Sequence, residues 1–290
     1  MRLFSSRNNI AVLQNSRVGV CLTLLLLLPL LFSCASVARY KGVGRIRRYT
    51  VADARLPQAF DGMTVAFLSD THYPSKFTPK RLQNVVRALG DLHPDLLLLG
   101  GDYVTDLSAA DELFEALGGY KAPLGNYAVL GNHDYRNARA IGDVMARCGI
   151  TLLHNEADTL RVGADSVFLC GIGSYDEKST ASICSRHAAD GYTMLLVHSP
   201  DYSQDFAVKD VALQFSGHTH GGQVTLFGMY VPVKKSKYGR RFLSGLNFTD
   251  LNVPVVTSNG LGTSRRKVRF CAPSDIILVT LKRDSKQVTD

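Results

Sequence analysis

Eight polar side chains, Asp70, His72, Asp102, Asn132, His133, His198, His218 and His220, each stand just beyond an apolar run. Any one of them alone is ordinary. A lone histidine after a strand is usually structural, and a cluster such as Asn132-His133-Asp134 commonly closes a turn through local hydrogen bonds. Recurrence changes the reading, because five of the chain's eight histidines fall in these turns. Carboxylates, imidazoles and one amide carbonyl, with no thiolate, suit two hard or borderline divalent cations such as Mn²⁺, Fe²⁺ or Zn²⁺. Two such ions about 3.5–4 Å apart clamp the oxygens of an in-line displacement, and a water bridging them loses a proton to become the nucleophile. Asp102, in the middle of the set, suits the carboxylate that bridges both. Phosphoryl transfer is the chemistry expected, since the transferring group needs close positive charge.

Five strands must deliver these side chains. Val65 to Leu68 runs into Ser69-Asp70-Thr71-His72, Leu96 to Leu99 into Gly100-Gly101-Asp102, and Tyr127 to Leu130 into Gly131-Asn132-His133-Asp134. Met194 to Val197 runs into His198-Ser199-Pro200, and Val211 to Phe215 into Ser216-Gly217-His218-Thr219-His220. Continuous apolar runs of this length fit strands buried on both faces. In α/β sheets the functional groups collect beyond the carboxyl ends of such strands. Helices are expected over Thr78 to Leu89, with Pro79 near its start, over Ala109 to Leu117 and over Asn137 to Cys148. Arg45 to Val51 has the pattern of a first strand and Ile276 to Val279 that of a closing one. His93, His154 and His187 lack any such setting and are expected at the surface or in turns.

Taken in order, Asp-x-His, Gly-Asp, Gly-Asn-His-Asp, His and Gly-His-x-His resemble the five motif blocks of the calcineurin-like metallophosphoesterase superfamily, over roughly residues 60 to 280. The resemblance implies an α/β fold of αββα type, a sandwich of two mixed β-sheets flanked by helices. It implies one metal held by Asp70, His72, Asp102 and His220, and a second held by Asp102, Asn132, His198 and His218. His133 would then stabilise the phosphate or protonate the leaving oxygen, with Asp134 orienting it. An N-terminal apolar segment, Ser69 to His72, Gly217 to Gln223 and Asn259-Gly260-Leu261-Gly262-Thr263-Ser264 are similar to the bacterial, membrane-associated YkuE-like branch. That branch includes UDP-2,3-diacylglucosamine pyrophosphatases of lipid A synthesis, which makes a lipid diphosphate the specific substrate expectation.

The net charge of +8 is unevenly placed. Residues 1–49 hold eight basic and no acidic side chains, which leaves 25 basic against 25 acidic for the rest. A specific nucleic-acid partner is therefore not expected, since it would want the basic excess on the domain itself. Between Arg17 and Arg39 no residue is charged, a stretch long enough to span a bilayer as a helix. Two forms of membrane association follow. Leu31-Phe32-Ser33-Cys34 resembles a lipoprotein cleavage site with Cys34 acylated. Alternatively the segment is an uncleaved anchor, and the five basic residues from Arg39 to Arg48 would keep its flank in the cytoplasm. The expected organisation is a membrane segment over 1–44 and a catalytic domain over 45–290. None of the six cysteines forms a C-x-x-C pair, and Cys170 sits in an apolar run as a buried thiol would.

Late in the chain, Lys234-Lys235, Lys237, Arg240-Arg241, Arg265-Arg266-Lys267 and Arg269 form basic clusters. They suit a diphosphate or an anionic membrane, and equally two solvated loops. There is no internal repeat, Walker A loop or Gly-x-Ser-x-Gly elbow. Against the lipid-directed hydrolase stand a membrane-tethered phosphodiesterase acting on soluble substrates and a non-catalytic metal-binding scaffold.

Overall fold

The computed structural model describes residues 39–40, 42–173, 183, 191–208, 210–226 and 230–284. The chain divides into two units, Met1–Arg39 and Tyr40–Asp290. Apart from the first residue of its edge strand, every element below belongs to the second. Among the described residues no helix is long and apolar enough to cross a membrane. The uncharged segment, Cys34 and His187 lie outside the described residues.

Two sheets form the framework. The first has seven strands in the order β1 (Arg39–Tyr40), β2 (Gly44–Asp53), β13 (Asp275–Arg283), β3 (Thr64–Leu68), β4 (Leu96–Leu99), β5 (Asn126–Ala128) and β6 (Thr151–Leu152). The second has six, in the order β11 (Gly245–Phe248), β12 (Pro254–Thr257), β10 (Leu213–Ser216), β9 (Thr193–Val197), β8 (Asp165–Ile172) and β7 (Glu156–Val162). Both are mixed. β3, β4, β5 and β6 run parallel while β13 is antiparallel to β3. In the second sheet β8, β9, β10 and β12 run parallel, with β7 and β11 antiparallel at the edges.

The apolar runs are continuous because both faces of their strands are covered. Val65 and Phe67 of β3 and Leu96 and Leu98 of β4 point between the sheets, where Met194 and Leu196 of β9 and Phe215 of β10 meet them. The alternate residues Ala66, Leu68, Leu97 and Leu99 face the helices. Leu195 and Val197 of β9 turn to the outer face of the second sheet, against Tyr202 of a short helix, Tyr202–Asp205. Period two with apolar residues on both sides is what a doubly covered sheet requires.

Among the described residues three helices cover the first sheet: α1 (Pro79–Leu92), α2 (Ala110–Gly118) and α3 (Ala138–Arg147). Each buries one stripe at helical spacing: Leu82, Val85 and Leu89; Leu113, Phe114 and Leu117; Ile141, Val144 and Met145. Pro79 starts α1, and His93 stops it in a left-handed conformation (φ 47°) with its N–H on Leu89 O. His93 and His154 are exposed. Each helix lies within three residues of its expected span. The strand expected over Tyr127 to Leu130 ends at Ala128, where the chain turns toward the site.

Candidate metal centre

The carboxyl ends of β3, β4 and β5 in one sheet, and of β9 and β10 in the other, open onto a common edge. Main-chain bonds tie their turns together. Asp70 N–H donates to Gly101 O (2.9 Å), His72 N–H to Asp102 O (3.1 Å) and Gly217 N–H to His198 O (3.0 Å). Five side chains leave a left-handed backbone, at φ 53° for Asp70, 45° for His72, 58° for Asp102, 67° for His218 and 54° for His220. Non-glycine residues rarely adopt it, and each instance costs roughly 1–3 kcal/mol. Strain gathered at one spot in this way is a mark of a functional site.

Two convergent groups result. Asp70, His72 and His220 form one, and Asp102, His198 and His218 the other, each with ligand atoms within 4.8 Å of one another. His72 Nε2 lies 3.2 Å from His220 Nε2, and His198 Nε2 lies 3.2 Å from His218 Nδ1. Asp102 Oδ2 joins the groups, 3.4 Å from His198 Nε2 and 3.7 Å from His72 Nε2. Ring nitrogens facing each other so closely need a proton or a cation between them.

Each carboxylate is divided between the protein and the centre. Asp70 Oδ2 accepts from Ser69 Oγ (2.5 Å) and His218 N–H (2.9 Å), and Asp102 Oδ1 accepts from His133 N–H (2.9 Å). Among the described residues Asp70 Oδ1 and Asp102 Oδ2 are buried without a hydrogen-bond partner, facing His220 Nε2 at 3.2 Å and His198 Nε2 at 3.4 Å. An unpaired buried oxygen of this kind costs about 1–3 kcal/mol or more. The donor set, nitrogen and carboxylate oxygen without sulfur, fits two divalent cations of the Mn²⁺, Fe²⁺ or Zn²⁺ kind. His198 Nδ1–H donates to Gly100 O at 2.6 Å, which leaves Nε2 free to coordinate.

The electrostatics follow from burial and crowding. Burial lowers the pKa of His72 to about 4 and, with the neighbouring His198, that of His218 to about 4. Burial works against His198 too, yet the carboxylates of Asp102 and Asp70 raise its pKa to about 9. Burial alone would raise Asp70, but His220, His198 and His72 hold it well below the ordinary carboxylate value.

Asn132 and His133 stand at the rim. Asn132 is exposed and lines cavities on both sides, one shared with His198 and His218, the other with His72 and His133. The His133 ring is half exposed, its Nε2 3.9 Å from Asp102 Oδ2 and its edge against His72. Asp134 does not orient it. Its carboxylate is buried and accepts from three backbone N–H groups, those of Asp102 (2.7 Å), Gly131 (2.8 Å) and Tyr103 (3.0 Å). Asp134 therefore holds the turn that carries Asp102. Gly131 is required beside it, because a Cβ there would strike Asp102 Oδ1 and N.

Two supporting features have roles that no local signal gave. The segment Asn259 to Ser264 packs on the Asp70 turn, with Leu261 N–H on Ser69 O and Gly262 N–H on Asp70 O. Arg269, grouped by sequence with the solvent-facing or anion-facing basic residues, instead donates inward to the carbonyls of Asn259, Gly260, Gly262, Ala272 and His220. It buttresses the turn behind His220.

A family model described as calcineurin-like phosphoesterase matches residues 63–222. The chain belongs to that family. It is 29% identical over 245 residues to the metallophosphoesterase YkuE of Bacillus subtilis, covering 81% of this chain and 84% of that protein. It is 33% identical over 231 residues to the phosphodiesterase YaeI of Escherichia coli, covering 74% and 80%. Among solved structures, NAD nucleotidase of Haemophilus influenzae aligns at 14% identity and a TM-score of 0.49, over 69% of this chain and 45% of that one. As a calcineurin-like phosphoesterase, the chain is a metal-dependent phosphoester hydrolase.

Proposed function

We propose that this chain hydrolyses a phosphodiester or diphosphate bond at the centre described, held at a membrane by residues 1–44, with UDP-2,3-diacylglucosamine as the specific candidate substrate. One observation carries the reaction class: two buried, partnerless carboxylate oxygens face imidazole nitrogens beneath an exposed histidine. Asp70, His72, Asp102 and His220 would hold one cation, and Asp102, Asn132, His198 and His218 the other. Bound there, divalent cations supply the positive charge that polarises a phosphoryl group and acidifies water.

The chain's own groups supply position and a proton. Asp102 is fixed by the N–H of His133 and, through its backbone, by Asp134. His198 is aimed by Gly100 O. His133 alone among the site histidines is open enough to meet a substrate, and its ring donates to a phosphoryl oxygen or to the leaving oxygen. The uncharged stretch before Arg39 supports an amphiphilic substrate. The YaeI relative, named as a phosphodiesterase, supports the broader reading of a general diesterase.

The test compares hydrolysis of bis-p-nitrophenyl phosphate and of UDP-2,3-diacylglucosamine by the purified full-length chain in detergent. Turnover should require Mn²⁺, vanish with EDTA and return on adding the metal back. Strong preference for the lipid, with UMP released, supports the specific substrate. Hydrolysis of the simple diester alone leaves the general diesterase, and metal-independent turnover refutes the centre.

A further inference from the structure

Beside His220 a groove of about 660 Å³ leads away from the metal centre. Its walls are Val224, Pro232, Val233 and Val268, with Val224, Val233 and Val268 40%, 55% and 57% exposed. Leu226, Tyr230 and Phe270 are also exposed on the same two segments, which carry most of the large apolar side chains left in water among the described residues. The segments are stitched together, Thr225 N–H donating to Phe270 O and Phe270 N–H to Gln223 O, both at 2.9 Å. Apolar surface concentrated in a concave site is uncommon on a folded domain without a ligand to cover it.

The groove is also cationic. Lys234, Lys235, Arg265 and Arg266 line it, and among the described residues no acidic one does. Lys235 stands where it meets the centre. Its ammonium donates to Ser264 Oγ at 3.2 Å, and its charge reaches both His218 and His220. An occupant that suits both features is anionic where it meets Lys235 and apolar against Val224, Val233 and Val268.

We infer that this groove is the subsite for a hydrocarbon substituent of an anionic phosphoester, with Lys235 paired to a phosphate oxygen at its mouth. The inference rests on the phosphoesterase reading and narrows its substrate class. It does not depend on the sugar, the nucleotide or the number of acyl chains. A protein segment would fit the apolar walls, but the continuity with His220 and the four cations favour the tail of the substrate itself.

The experiment uses the full-length, Mn²⁺-loaded chain and alkyl p-nitrophenyl phosphate diesters from methyl to hexyl, all below their micelle concentrations. Burying a methylene is worth about fourfold in affinity, so partial burial of the added chain should give a hexyl/methyl ratio in kcat/KM of about thirtyfold or more. The double variant Val233→Asp/Val268→Asp, measured in the same detergent, should bring that ratio below about fivefold by loss of the same apolar contact. Detergent partition affects both proteins alike and cancels in the comparison. A wild-type ratio near one, or a ratio that survives the double variant, overturns the subsite. Should neither diester be hydrolysed, the phosphoesterase reading fails separately, and calorimetric binding of hexyl phosphate still decides the groove. Binding at least about tenfold tighter to wild type than to the double variant supports it, by the same methylene scale, and equal binding overturns it.

Discussion

His133 and Asp134 are adjacent in the chain and have opposite duties. His133 reaches solvent and leaves the six convergent ligands intact when removed. His133→Ala should therefore keep its cation affinity, seen by calorimetry with Mn²⁺, while turnover of bis-p-nitrophenyl phosphate falls about 10²- to 10⁴-fold, the usual worth of a positioned proton donor. Full turnover would dismiss the ring from the reaction. Asp134 touches no part of the rim. Asp134→Ala leaves three buried N–H groups without an acceptor, a loss of about 3 kcal/mol or more. It should lower the thermal midpoint and, by releasing the Asp102 turn, weaken cation binding as well. A variant as stable as wild type would contradict the clamp.

At the level of elements, the site depends on two sheets being held face to face. β3 and β4 bring Asp70 and Asp102 from the first sheet, while β9 and β10 bring three histidines from the second. Phe67 and Phe215 bridge them, with ring centroids 5.6 Å apart and both side chains fully buried. Phe67 also lies against Gly100, whose carbonyl aims His198. Phe67→Ala should cost about 3–5 kcal/mol of stability in chemical denaturation, since a large cavity is left between two sheets that cannot close independently. The folded fraction should bind cations more weakly, because the gap loosens one ligand set against the other.

For the molecule as a whole, the centre without cations neutralises one of its two carboxylate charges. Asp70 and Asp102 are held ionised, and His198, raised to about 9 by those carboxylates against the effect of burial, carries the compensating proton. Its folded pKa lies above the usual histidine value. Its stabilising contribution is thus fully present below about 6.5 and fades as pH rises through 9. An arriving cation must displace that proton. Cation affinity should therefore rise with pH up to about 9, with about one proton released per loaded centre at pH 7. Calorimetry in buffers of different ionisation enthalpy counts that proton. Release of none would mean that His198 is already neutral.

Much of this was legible in the chain because its signals are local. A run such as Leu96 to Leu99 can be nothing but doubly buried, and the turn after it must surface at a strand's carboxyl end. The stripes of α1 to α3 were legible for the same reason, as was the αββα arrangement once the motif blocks were set in order. The edge strands β7 and β11 were not, since residues such as Glu156, Asp158 and Arg161 break the apolar pattern where one side meets water. Tertiary structure alone decided which neighbours each polar group meets. Asp134 could equally have turned to His133, and the backbone of Tyr103, brought near by the pairing of β4 with β5, decided otherwise. Arg269 belonged to a basic cluster by composition and became a buttress because five carbonyls converge on it. Strand and helix periods are written along the chain, whereas hydrogen-bond partners many residues apart are chosen only when the sheets close.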